Sequence, residues 1–209
     1  MKKQKKKLNN KNQSIILNKT KEIVKADGWS RNIIDKLIKD GVNKSELIII
    51  FKNDYKKLLG YFLEEINQLL ELKVKKINII NFPVNIRIKK ILLARIQILN
   101  EDKIFYKKTF DHLLLPQNIK ILKKSLYKSV DTMWYLAGDT STDFNFYTKR
   151  IILGGVYTNA IFTFFNNDIE QAEVNIDKNL KKISKLPKLK ERFSFIKDNL
   201  PIFLKGFIN

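Results

Sequence analysis

Groups able to carry chemistry are scarce in this chain. There is one histidine, His112 in the run DHLLLP, and there is no cysteine, so disulfides and thiolate chemistry are excluded. A carboxylate-bridged di-iron site in a helical bundle needs two Glu-x-x-His pairs. One histidine cannot supply them, and the residue three positions before it is Thr109. The seven glycines are too scattered for a phosphate-cradling loop or a nucleotide fingerprint. Nucleophile–base arrangements have almost nothing to use, and no Asp/Glu pair is marked out for glycoside chemistry. The sequence therefore predicts a protein that is not an enzyme, with no catalytic residue, no metal ligand and no cofactor. His112 is expected at a helix end, partly exposed.

One stretch departs from the monotone of Lys, Ile, Leu and Asn. Residues 137–150, AGDTSTDFNFYTKR, crowd small, acidic, hydroxylic, aromatic and cationic side chains together. Gly138 suits the left-handed residue that closes a helix. Asp139, Thr140, Ser141 and Thr142 can accept hydrogen bonds from the free amides of the next helix, and Asp143 adds favourable charge at its N-terminus. Phe144, Phe146 and Tyr147 fall within one turn and cannot all face one way. At least one is expected to be exposed beside Lys149 and Arg150, the composition of an interface hot spot.

The elements that must position this stretch are helices. Apolar residues recur at helical spacing after residue 13, and only seven Gly and four Pro interrupt them. The spacing predicts helices over 14–26, a short one capped by Ser30 and ended by Gly41, one from about Asn43, and a long one over 54–74. Further helices follow from Pro83 to about Leu99, over 101–114, and from Pro116 to Gly138. The last of these carries Ile119, Leu122, Leu126, Val130 and Met133 along one face. An eighth runs from Thr142 to about Phe165 and a ninth from about Asp168 to Ile183. In the eighth, Gly154 and Gly155 serve either close helix approach or room for a ligand. The fold class is all-α, a bundle of about nine to ten helices.

The run DGVNKSELIIIFKNDYKKLLGYF resembles the TetR-type regulator pattern, which implies a helix-turn-helix-like N-terminal part. A ligand-responsive DNA-binding regulator of that type is the alternative reading. Its recognition position, however, offers Ile48, Ile49 and Ile50 beside Glu46. Isoleucines read no hydrogen-bond code, and a carboxylate repels phosphate.

Formal charge is +20. Only five of the 41 cations are arginine (Arg31, Arg87, Arg95, Arg150 and Arg192), where specific nucleic-acid readers lean on Arg forks. The charge predicts salt-sensitive attraction to anionic lipid headgroups and no specific nucleic acid. No apolar run is long enough to span a bilayer. Residues 1–12 are expected to form a disordered basic tail of a cytoplasmic bacterial protein, followed by a single domain over 13–186. Beyond Pro187, residues 187–209 place Phe193, Ile196, Leu200, Phe203 and Phe207 among basic residues, an amphipathic pattern that predicts membrane-surface association.

MWYLAGDTSTDFNFYTKRIILGGVY closely resembles the signature of the COQ-nine family, lipid-binding accessory proteins of ubiquinone (coenzyme Q) biosynthesis. DGW at Asp27–Trp29 resembles that family's N-terminal hallmark. The resemblance implies a TetR-like all-α fold without DNA binding, a homodimer packed through its late helices, and a bound isoprenoid quinone or other lipid. It also implies a surface for the di-iron demethoxyubiquinone hydroxylase, at Met133, Asp143, Phe146, Tyr147 and Arg150. Lipid is expected at Trp134, Ile152, Val156 and Phe162. Location would be peripheral to the bacterial inner membrane, or to the matrix side of the mitochondrial inner membrane in a eukaryote. The family usually has Trp where this chain has Phe146.

Overall fold

No glycine or proline occurs from Lys2 to Asp27, and one helix, α1 (Lys2–Asp27), fills that span in the computed structural model, which describes residues 2–142 and 144–184. Helix α1 thus reaches into the residues expected as a disordered tail. Lysine is a fair helix former, and nothing in the run breaks the backbone ladder.

Among the described residues every regular element is helical: α2 (Ile33–Lys39), α3 (Lys44–Phe51), α4 (Tyr55–Lys75), α5 (Val84–Asn100), α6 (Lys103–Leu113), a 3-10 turn (Pro116–Asn118), α7 (Ile119–Leu136), α8 (Phe144–Asn166) and α9 (Ile169–Ser184). The all-α class is as expected. Asn43 caps α3, accepting from the Ser45 amide at 2.8 Å, and Asp54 caps α4 through the Lys56 amide at 2.8 Å. Ser30 does not cap α2. Asn32 holds that position without a side-chain bond, and the Ser30 hydroxyl is buried without a partner.

The described residues fall into two compact units. The first comprises the chain up to Ile77 together with Ala94–Ser129. Here α1 packs on α2 and α6, and α3 on α4. Its core centres on Trp29, edge-on to Phe62 with centroids 5.9 Å apart, and Phe62 is in turn 4.8 Å from Phe105. Trp29 Nε1 donates to Thr109 Oγ1 at 2.9 Å, and that hydroxyl donates to the Phe105 carbonyl. The indole N–H and the Thr109 hydroxyl are therefore both satisfied within this core. Arg95, almost fully buried, donates to Asn67 Oδ1 at 2.7 Å and to Ser129 Oγ at 2.8 Å, and Ser129 donates back to Asn67. On α3, Leu47 and Phe51 are buried while Ile48 and Ile49 are exposed, the latter to 72%.

The second unit comprises Asn78–Leu93 and the described residues from Val130 onward. Helix α8 packs along α9, and Lys89 pairs with Asp177 at 2.8 Å and Glu173 at 3.1 Å. The Arg87 guanidinium donates to the carbonyls of Ile80 and Phe82, each at 2.6 Å, and of Ala137 at 2.9 Å. It thereby ties the loop ahead of α5 to the end of α7. Gly138 ends α7 with φ +82°, and a Cβ there would lie 3.1 Å from Arg87 Nη1. Glycine is favoured at that position by the left-handed backbone, and a side chain there would also press on the Arg87 guanidinium.

The apolar stripe expected along α7 is only half internal. Val130 and Met133 are buried, but Ile119 is exposed and Leu122 and Leu126 are half-buried.

Candidate functional site

The junction between α7 and α8 belongs to the second unit and is built around Asp139. Its carboxylate is buried, with the side chain 3% exposed. A buried carboxylate must be paired, and this one is, on both oxygens. Oδ1 accepts from Lys149 Nζ at 2.6 Å and Ser141 Oγ at 2.8 Å, and Oδ2 accepts from Arg150 Nη1 at 3.2 Å. Burial alone would raise the Asp139 carboxyl; the hydrogen bonds from Lys149, Ser141 and Arg150 together outweigh it and hold the group below the usual carboxylate range.

Arg150 is held on every side. Nε donates to Asp131 Oδ1 at 2.7 Å, Nη2 pairs with the same oxygen at 2.7 Å, and Nη1 also donates to the Phe146 carbonyl at 3.0 Å. The Phe146 ring covers the guanidinium face. Lys149 Nζ donates to Ser141 Oγ at 2.6 Å and lies over the Trp134 ring at 5.4 Å, while Trp134 Nε1 donates to the Lys149 carbonyl at 3.0 Å. Two adjacent cations of α8 are thus locked to α7 and to the connecting segment. The arrangement fixes the angle and rotation of the first turns of α8.

Asp139 was expected to serve the free amides of α8. Its carboxylate instead takes the side-chain cations at positions 149 and 150, one turn or more inside the helix, a stronger, charge-assisted use of the same group. Asp131 was not foreseen. It lies 19 residues from Arg150, and only the crossing of two helices brings them together.

Of the five residues expected to form a partner surface, Tyr147 is exposed to 44% and Phe146 is half-buried. The expectation of an exposed aromatic in this turn holds for Tyr147. Met133 is fully buried and Arg150 is 8% exposed. Both are internal supports here rather than open contact residues, because Met133 faces the core and the guanidinium is consumed by Asp131 and Asp139. Asp143 lies outside the described residues.

The residues expected to meet lipid are dispersed. Trp134 and Ile152 are half-buried, Val156 is buried and Phe162 is exposed. Val156 and Phe162 stand six residues apart, about 120° around a helix, and one is buried where the other is exposed. A Cβ at Gly154 would meet Val130 only at 4.0 Å, and one at Gly155 would meet nothing; neither glycine is demanded by close packing among the described residues. Phe193, Ile196, Leu200, Phe203 and Phe207 lie outside the described residues, as does the whole segment 187–209. His112 stands at the end of α6, half-buried, 6.3 Å from the Trp29 ring and 6.0 Å from the Tyr55 ring. Burial lowers its pKa, and its Nε2 is buried without a partner. No cluster of His, Cys, Asp and Glu able to hold a metal occurs among the described residues, and no helix among them is long and apolar enough to cross a membrane.

Fold and site together define an all-α protein whose most organised polar feature is a structural clasp carrying an exposed tyrosine. The COQ9 family model matches residues 120–187, the span that holds α7, the clasp, α8 and α9. Ubiquinone biosynthesis protein COQ9, mitochondrial, of Bos taurus is 32% identical over 157 residues, covering 68% of this chain and 47% of that protein. The Rattus norvegicus protein of the same name is 36% identical over 121 residues, 56% of this chain and 36% of its own length. A Dictyostelium discoideum protein named probable ubiquinone biosynthesis protein coq9, mitochondrial, is 26% identical over 152 residues, 69% of this chain and half of its own. The chain contains a COQ9 family region, and it spans about half the length of the curated relatives it matches.

Proposed function

We propose that this protein is a non-catalytic accessory factor of ubiquinone biosynthesis, which binds an isoprenoid quinone intermediate and presents it to the demethoxyubiquinone hydroxylase. The observation that carries the reading is a coincidence of position. The COQ9-matching region, residues 120–187, contains the whole Asp139–Lys149–Arg150 clasp and the exposed Tyr147 that it orients. In this reading the clasp holds α8 so that Tyr147 and Phe146 meet the hydroxylase, with Met133 and Arg150 supporting them from within. Residues 187–209 add a basic, apolar segment suited to a membrane surface, and two copies assemble through their late helices. The site of action is peripheral to the membrane that carries the quinone pathway.

Extraction of the purified chain followed by mass spectrometry tests the reading. An isoprenoid quinone should come off with the protein, and a consistently lipid-free protein overturns the carrier role. The regulator reading is disfavoured by the exposed Ile48 and Ile49 on α3. An operator-binding titration across a salt series separates the two, because attraction from net charge alone disappears as counterions compete.

A further inference from the structure

No residue from Ile119 to Lys128 is fully buried, although this is the first half of an 18-residue helix. Just ahead of it, Leu114 and Leu115 are exposed to 48% and 40%, and Ile119 to 43%. Lys120, Lys123, Lys124 and Tyr127 follow, all exposed. Steps of three and four residues return a helix to one side, so these four share a face. All lie within the first unit. The sequence has no Asp or Glu between Asp111 and Asp131, Asp111 pairs with Lys107 at 2.9 Å, and Glu64 of α4 pairs with Lys128, just past the end of this face, at 2.6 Å. An apolar tip therefore leads into a basic face.

We propose that this face, from Leu114 to Tyr127, docks on an anionic lipid bilayer, with the lysines at the headgroups and the leucines at the acyl boundary. Charge selects the occupant. A second copy of the chain would bring the same positive face. Residues 187–209 are no better, with five cations against Glu191 and Asp198. A nucleic acid matches the charge but gains little from exposed Leu114, Leu115 and Ile119, whereas the bilayer interface takes up both kinds of side chain. The inference deepens the lipid-handling reading and rests on it for the bilayer, while assigning a contact separate from residues 187–209.

The chain has no cysteine, so a single introduced thiol reports one place. Leu115→Cys carrying an environment-sensitive fluorophore, in the full chain, should shift to the blue with phosphatidylcholine vesicles containing phosphatidylglycerol and not with phosphatidylcholine alone. The same probe at Ile49→Cys on α3 should stay unchanged. Joint replacement of Lys120, Lys123 and Lys124 by Gln should weaken vesicle partitioning by about fivefold per lysine. Leu114→Ser with Leu115→Ser should weaken it at unchanged charge. A silent probe at position 115 on a chain that still sediments with the anionic vesicles overturns the inference. So does a single-stranded oligonucleotide that moves the probe as strongly, combined with undiminished vesicle binding by the serine variant. Quinone recovered from a chain whose probe stays silent leaves the carrier reading standing and removes this one. A moving probe on a quinone-free chain does the reverse.

Discussion

The guanidinium carbon of Arg150 lies 3.2 Å from the centroid of the Phe146 ring, and Nη1 of the same group donates to the Phe146 carbonyl. One residue thus holds its arginine twice, by ring face and by backbone. The aromatic at position 146 is committed to covering a cation before it meets any partner, and Tyr147, whose ring is 5.2 Å from that of Phe146, carries the exposed surface.

Indole is the best of the aromatic faces for a cation. Phe146→Trp should therefore leave stability unchanged or raise it by about 0.5–1 kcal/mol. Phe146→Leu should lower it by a similar amount in urea unfolding. A tryptophan variant that unfolds markedly earlier would show that the ring site has no room for the indole.

Asp139→Asn keeps the shape and removes the charge, leaving Lys149 and Arg150 facing an amide. Loss of a buried pair's partner costs about 3–5 kcal/mol. Lys149 remains 37% exposed and can return to water, which reduces the expected loss to about 2 kcal/mol. Chemical denaturation measures it, and an unchanged midpoint would refute the clasp as a source of stability.

Among the described residues two groups removed from water, His112 and Asp139, shape the acid side of the stability profile, beside the exposed Asp27 carboxylate that Lys36 holds low. The His112 pKa is lowered by burial from its ordinary 6.5, so the unfolded chain takes up this proton first. Its stabilisation is whole above pH 6.5 and is lost as pH falls toward the folded value. Asp139 lies below its ordinary 3.8, burial opposing the shift and its hydrogen bonds producing it. Its stabilisation is whole above pH 3.8 and fades as pH falls further. Urea midpoints should drop in two stages. His112→Phe should flatten the upper and Asp139→Asn the lower.

Met133 and Tyr147 should separate stability from docking. Met133→Ala opens a cavity at a fully buried position and should cost about 2–5 kcal/mol. Tyr147→Ala, at an exposed site, should stay within about 0.5 kcal/mol. In cells Tyr147→Ala should nonetheless lower ubiquinone and accumulate its demethoxy precursor. Normal quinone levels with that variant would sink the docking assignment.

The buried Arg95 depends on Asn67 and Ser129 for acceptors. Asn67→Ala removes one of them and should destabilise the first unit by about 1–3 kcal/mol, read from amide exchange in α4 and α5.

Much of the helix order was legible because its punctuation is chemical. Asn43 and Asp54 announce α3 and α4 as caps, and Gly138 closes α7 where expected. The start of α1 was not legible. A run of lysines satisfies the backbone of a helix as readily as that of a solvated tail, and nothing local distinguishes them. The motif at 137–150 stood out by composition, yet its internal wiring did not. Asp139 meets Lys149 and Arg150, and Arg150 meets Asp131, over separations that carry no periodic pattern. Exposure along the first half of α7 escaped for a related reason. Apolar spacing marks a stripe, and whether anything covers the stripe depends on neighbours remote in sequence.

Arg87 and Gly138 make a final point about what can change in this molecule. A β-carbon at position 138 would lie 3.1 Å from the Arg87 guanidinium and press on it, and that group itself gathers three carbonyls from two segments. Position 138 should therefore stay glycine across relatives even where position 87 changes, because the left-handed backbone alone disfavours a side chain there. A shorter residue at 87 would relieve the contact but not the left-handed backbone at 138, and it leaves three backbone acceptors without their donor. Backbone conformation at 138 and the three carbonyls gathered at 87 are separate constraints, and each holds the α7–α8 junction to its present residue on its own.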